Sequence, residues 1–329
     1  MVSFLLKSEG ETPFFTHPGL LNLHTASTAC RLYDPLSAIQ NHMKLIPHTF
    51  TALLMGTALA GAATTSVNTG SLGAAANGIN SDGVTLSANS PLAAPGDLSG
   101  SYGGGSTATP VNTTIPYNAA VNPSAASPFT IEFWVNPNQD TNNGWAPVFN
   151  RVSASPRSGW TFFQRGSGGG GWNLALYNGD GSSVGKQITG GGSAFAVGAW
   201  THVVGVWDGA DLSLYINGVN SGSASSGNGY NASTSGAVLS VGSYANGDNS
   251  FLGGLVDETA FYGQALTASQ ILAHYNAASS TTTGTYSGLV QADGALVYLQ
   301  NLAPVPEPAA TSLAALGLLA AANRRRRRP

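Results

Sequence analysis

The chain has 329 residues and a formal net charge of −3, with 8% of residues charged and 43 glycines. Such sparse charge, with apolar residues in short runs, excludes a charged disordered chain and argues against a helical bundle, leaving an all-β fold with many turns. Between residues 61 and 303 the basic residues are Arg151, Arg157, Arg165 and Lys186, outnumbered by carboxylates, so no basic surface is present to neutralise phosphates and nucleic acid is excluded as a partner.

Met43 begins MKLIPHTFTALLMGTALAGAA, in which Lys44 is followed by an apolar run from Phe50 to Ala60 and then small residues. This is the layout of a secretory signal peptide over 43–62, with cleavage after Ala60 or Ala62. Residues 1–42 then read as an upstream extension from a misplaced start, and Cys30, the single cysteine, lies within it. The mature chain can therefore enter an oxidising compartment with no disulfide to form. Residues 63–96 are mostly Ala, Gly, Ser, Thr and Asn and read as a low-complexity linker, with a short strand near Val84–Leu86.

The texture changes at Phe129. FTIEFWVNP puts Phe129, Ile131, Phe133 and Val135 on one face and Thr130, Glu132 and Trp134 on the other, the period of two that a strand requires. Residues 160–164 and 172–177 follow as further strands. The stretch WTHVVGVWDGADLSLYING, from Trp200 to Gly218, is a β-hairpin in sequence, because Asp208-Gly209 and Asn217-Gly218 tolerate the positive φ of tight turns. Its first run is apolar on both faces, as in a strand inside a sandwich. Strands over 236–243 and 251–262 complete the set. Thr267 and Gln270 then form a capping box that opens a helix over 267–275, whose Ile271, Leu272 and Tyr275 are expected to face the sandwich. Residues 279–304 read as a linker with short strands, 286–301 being an isolated strand pair or the start of a truncated repeat.

The C-terminus, 305–329, has three parts in order: Val305-Pro306-Glu307-Pro308, an apolar stretch from Ala309 to Ala322, and Arg324 to Arg328. An apolar helix ended by arginines pauses in a bilayer with its basic end in the cytoplasm. At ~1.5 Å per residue the stretch is shorter than the ~30 Å hydrocarbon core, which suits a transient, removable anchor. This tail resembles the PEP-CTERM sorting signal of bacterial exported proteins, with Pro306, Glu307 and Pro308 as the sorting motif. The resemblance implies an exosortase-type partner and a place at the cell surface or in the extracellular matrix.

Taken together, FTIEFWVNP, GWNLALYNGDG, the hairpin block and FLGGLVDETAFYGQALTASQILAHYN resemble the laminin-G-like jelly roll of the concanavalin A-like lectin and glucanase superfamily, over 97–278. The resemblance implies a two-sheet antiparallel sandwich with one short C-terminal helix, separate from the short hydrophobic helix of the tail. It also implies a structural calcium ion held by Asp257 on the last long strand, with Asp97 as companion. The residues themselves leave open that Asp257 only hydrogen-bonds backbone groups at a sheet corner.

Glucanase members place two carboxyl groups about 5 Å apart on one face for retaining hydrolysis. Asp257 and Glu258 are adjacent, so a regular strand sends them to opposite faces, and a non-catalytic domain is expected. His202 reads as a hydrogen-bonded strand histidine and His274 as a surface residue of the helix or a charge partner for its C-terminal end. Trp145, Trp160 and Trp172 are the candidates for stacking on sugar rings, against the alternative that each packs in the core. The expectation is an exported, non-catalytic surface protein binding a glycan or another envelope component. A glycoside hydrolase and a coat protein without a specific ligand are the alternatives.

Overall fold

The computed structural model describes residues 65–104, 109–141, 145–152, 156–179, 184–225, 229–233, 237–243 and 250–301. The expected signal peptide, the extension with Cys30, and the tail with its short hydrophobic helix lie outside the described residues. In chain order the strands are β1 (Thr65–Asn68), β2 (Gly78–Asn80), β3 (Thr85–Ser87), β4 (Ser99–Gly103), β5 (Thr113–Ile115), β6 (Phe129–Pro137), β7 (Val148–Arg151), β8 (Ser158–Gly166), β9 (Gly171–Asn178) and β10 (Val184–Gly191). They continue as β11 (Thr201–Trp207), β12 (Leu212–Ile216), β13 (Val219–Ala224), β14 (Leu239–Val241), β15 (Gly253–Tyr262) and, after the helices α1 (Ala268–Ala277) and α2 (Thr285–Ala292), β16 (Ala295–Gln300).

Every described pairing is antiparallel. One layer runs β10-β9-β8-β7-β14-β5-β2-β1 and the other β1-β16-β15-β6-β11-β12-β13, so β1 belongs to both; β3 and β4 extend the edge of β15. Phe133, Val203, Leu214 and Phe261 of the second layer meet Trp160, Phe162, Leu174 and Leu239 of the first in a core that excludes water. Burying each such side chain contributes about 1.5–3 kcal/mol, which is what holds two glycine-rich layers together. A second apolar cluster lies on the outer face of the β6–β11–β15–β16 layer, where Trp134, Val204, Val206 and Tyr298 pack against Ile271 of α1 and Val290 of α2. That double cover explains why β11 is buried along its whole length.

The hairpin forms as its sequence predicts. Trp207 pairs with Leu212 and Val203 with Ile216. Between them Asp208 Oδ1 accepts hydrogen bonds from the amides of Ala210 and Asp211 at 2.8 and 2.7 Å, and Gly209 takes φ 101°. Asn217 and Gly218 follow with φ 51° and 77°, turning β12 into β13. The capping box is present as well: Gln270 Oε1 accepts from the Thr267 amide at 2.9 Å, and Thr267 Oγ1 accepts from the Gln270 amide at 3.3 Å.

Three expectations are corrected. Residues 63–96 are not simply a linker, since 65–87 contain β1, β2 and β3. These strands lack an apolar stripe and are held by polar side chains instead. Asn68 Oδ1 accepts from the amides of Gly70 and Tyr298, and Asn68 Nδ2 donates to the Gly73 carbonyl at 2.9 Å. Residues 279–304 are not a linker with an isolated strand pair: 285–292 form α2, and β16 lies between β15 and β1 within the sandwich. The domain therefore extends beyond 97–278 at both ends. Leu272 is 43% exposed and points away from the sandwich, while His274 takes the buried face.

Candidate functional site

The strand β15 changes neighbour partway along. Up to Val256 its outer edge pairs with β4, and from Thr259 onward the same edge pairs with β16. In the gap sits a β-bulge: the register with β6 shifts between Asp257 and Ala260, and Glu258 adopts φ 53°. A non-glycine residue at positive φ is strained, and the strain re-aims its side chain. Asp97, just before β4, enters the same gap. Carboxylate oxygens of Asp97, Asp257 and Glu258 all lie within 4.8 Å of one another.

The structure thus brings together Asp257 and Asp97, the pair that the resemblance implies, and adds Glu258. Adjacent strand residues should diverge; the bulge cancels that alternation. The sequence does carry a trace of it, in that Asp257-Glu258-Thr259 interrupts an otherwise apolar strand.

Asp257 and Glu258 are 2% and 1% exposed. The Glu258 amide donates to Asp257 Oδ1 at 3.0 Å, the Tyr298 hydroxyl donates to Glu258 Oε2, and the Ser90 hydroxyl donates to Asp97 Oδ2. Asp257 Oδ2 is buried without a hydrogen-bond partner. Burial first, and then the neighbouring carboxylates, push the pKa of both Asp257 and Glu258 well above the usual range. Among the described residues none of the three forms an ion pair with a base. Buried like charges without a counter-charge are relieved by protons or by a cation. Three carboxylates this close, one with an unpartnered oxygen, offer the hard donors that a calcium-type ion takes from carboxylates and carbonyls. The adjoining cavity, about 310 Å3, is lined by Asp97, Tyr286 and Gln300 but by neither Asp257 nor Glu258.

A second polar constellation lies under the helices. Glu132, wholly buried on β6, accepts four hydrogen bonds: from His202 Nε2 at 2.9 Å and Tyr286 at 2.6 Å on one oxygen, and from His274 Nδ1 at 2.9 Å and Tyr262 at 2.8 Å on the other. His274 Nε2 lies 2.9 Å from Asp293 Oδ2. With both ring nitrogens facing carboxylates, the protonated form of His274 is the favoured one, since each N–H then has an acceptor. Burial alone would lower its pKa, but the bonds and charges of Glu132 and Asp293 outweigh burial and raise it. Burial works to raise Glu132, yet His202 and His274 carry it well below the usual carboxylate range. His202 is thus the hydrogen-bonded strand histidine expected. His274 is not a surface residue: its side chain is fully buried because α1 turns that face onto β6. Through His274 of α1 and Tyr286 of α2, the network fastens both helices to the sheet.

Two of the three tryptophan candidates are corrected. Trp160 and Trp172 are fully buried in the inter-layer core, Trp160 stacked on Phe261 and Trp172 tilted against Phe195, so neither presents a face to a sugar. The indole area that makes tryptophan a good sugar platform makes it an equally good core residue. Trp145 is half-buried at the edge of the same core, bridged to Gln164. Pro306, Glu307 and Pro308 lie outside the described residues.

Among solved structures, the chain is similar to the binding domain of Paraclostridial Mosquitocidal Protein 1, at 16% identity over 64% of this chain and 52% of that one, with a TM-score of 0.47. It is also similar to the botulinum neurotoxin serotype G binding domain, at 17% identity over 64% and 49%, with a TM-score of 0.48. A third is domain 4 of AbnA, a GH43 extracellular arabinanase from Geobacillus stearothermophilus in complex with arabinotriose, at 20% identity over 57% and 79%, with a TM-score of 0.41. The chain spans about half the length of the first two. Comparison with curated proteins returned no match. A family model for the PEP-CTERM protein-sorting motif matches residues 304–328, which contain Pro306, Glu307 and Pro308, and that motif indicates export and surface sorting. A laminin G-type model, described as the concanavalin A-like lectin/glucanases superfamily, matches residues 108–272, half of the chain. With two antiparallel layers where that family has them, the chain belongs to the concanavalin A-like lectin and glucanase superfamily.

Proposed function

We propose that this is an exported surface or extracellular-matrix protein whose sandwich domain binds a glycan or another envelope component without cleaving it. In this reading the C-terminal tail inserts transiently in the membrane and is processed by an exosortase-type enzyme at Pro306-Glu307-Pro308. Calcium has a structural role, held by Asp97 and Asp257 with Glu258. The observation that carries the reading is the presence, in one chain, of a lectin-type sandwich and a sorting motif. The enclosure of Asp257 and Glu258 supports the non-catalytic part, because a hydrolase must hold its carboxylates against the sugar ring. The test is a glycan array probed with the full chain, with and without chelator, run beside hydrolysis assays on laminarin, agar and xylan. Binding without release of reducing ends is expected. Release of reducing ends that is lost in Glu258→Gln would overturn the reading.

A further inference from the structure

On the far side of the loop that carries Asp97 is an open surface cavity, of about 370 Å3, between segment 90–93 and the C-terminal end of α1. Its walls include Leu92, Trp134, Trp200 and Tyr275, and its edge carries Ser90, Asn276 and Ser279. The aromatic groups are fixed in place. Trp200 Nε1 donates to Asn89 Oδ1 at 3.0 Å, and Trp134 stacks on Tyr275 with ring centres 5.8 Å apart and planes within 15°. The loop wall is tied down at both ends: the Ala93 amide donates to the Ala278 carbonyl at 2.8 Å, and Ser90 bonds to Asp97. Trp200 and Tyr275 are only half-buried, and no other described ring covers Trp200.

The chemistry of the lining selects among ligands. No lining residue is charged, so neither a cation nor an anion finds a counter-charge. An acyl chain would suit the rings but offers no hydrogen-bonding partner to the amide and hydroxyls at the edge. A sugar ring has an apolar carbon–hydrogen face for an indole and hydroxyls around its rim for the amide and hydroxyl side chains. The volume lies at the small end of ligand cavities, which run from roughly 300 to 1,000 Å3, and suits one or two sugar rings.

We propose that this cavity binds a neutral saccharide, with a ring face stacked on Trp200 beside Tyr275 and hydroxyls bonded to the side chains of Asn276 and Ser279. The proposal rests on the reading of the domain as a glycan binder and gives that reading a location. It differs from the tryptophan candidates legible in the sequence, all of which belong to the inter-layer core or its edge.

The test is calorimetric titration of the full chain with cello-, laminari- and manno-oligosaccharides and with a sulfated oligosaccharide, in wild type, Trp200→Ala, Asn276→Ala and Tyr117→Ala. Tyr117 is an exposed aromatic outside the cavity and serves as the control. A neutral oligosaccharide is expected to bind, with a loss of about tenfold or more in Trp200→Ala and Asn276→Ala and no loss in Tyr117→Ala. Asn276 is exposed, so that variant reports on binding even if Trp200→Ala fails to fold. Undiminished neutral-sugar binding in Asn276→Ala together with unquenched tryptophan fluorescence on titration overturns the cavity and leaves the glycan-binding reading standing. Preference for the sulfated oligosaccharide also overturns the cavity. Absence of saccharide binding by wild type overturns both.

Discussion

Glu132 and His274 are 142 positions apart in the chain, yet their side chains meet at 2.9 Å in a fully buried ion pair that joins the central strand β6 to the helix α1. Truncating one member of such a pair strands the other charge in the interior. Glu132→Gln keeps the shape but turns an amide N–H toward histidine and tyrosine donors. A loss of about 3–5 kcal/mol is expected in urea denaturation, with the helices released before the sandwich melts.

The same network sets a pH window, with His202, His274, Asp293, Tyr262 and Tyr286 as the titratable groups around Glu132. The His274 pKa is raised on folding, so its contribution is complete below the ordinary histidine value of 6.5 and is lost as pH rises through the folded value. The Glu132 pKa is lowered, so its contribution is complete above the ordinary value of 4.5 and is lost as pH falls through the folded value. The contribution of the pair should therefore be greatest between pH 4.5 and 6.5. Denaturation midpoints measured across pH should lose that mildly acidic maximum in His274→Gln.

Calcium should stabilise the chain through Asp97, Asp257 and Glu258. At a hundredfold excess over its Kd a ligand bound only by the folded state adds about 2.7 kcal/mol. Melting in calcium against melting in chelator measures the increment. Asp257→Asn should abolish it and, by removing one of three crowded carboxylates, melt higher than wild type in chelator. An unchanged increment in that variant excludes the centre.

Gly205 lies in the middle of β11, facing the first layer. A methyl at its α-carbon would overlap Leu174 and come within 2.7 Å of Phe162. Gly205→Ala should cost about 1–3 kcal/mol by overpacking, read as a lower urea midpoint. At the edge of the helical layer, Thr267→Ala removes one half of the capping box and should cost about 1 kcal/mol.

The sequence made legible the parts that follow from local rules. The alternation of Phe129–Val135, the turn residues at 208–209 and 217–218, and the Thr267–Gln270 cap each encode one backbone geometry, and each is present. What escaped is what depends on distant partners. β1 and β2 carry few apolar residues, and their order comes from Asn68 and from pairing with β16. β16 reads as isolated because two helices separate it from β15 and most of the domain separates it from β1, its other partner. Glu258 joined the carboxylates only through a bulge, and a bulge is fixed by register between strands, not by the residues on either side of it. Trp160 and Trp172 carry the same side chain as Trp200, and only the layer they fall in separates core from cavity wall.

The strand β1 bridges both layers, and its Asn68 binds Tyr298 at a separation of 230 residues. The sandwich can close its seam only once that last strand has been delivered, a few positions ahead of the sorting motif at 304–328. In a chain threaded outward from its N-terminal end, the strand that completes the fold emerges just ahead of the sorting motif, so the motif trails a domain that has only just finished assembling.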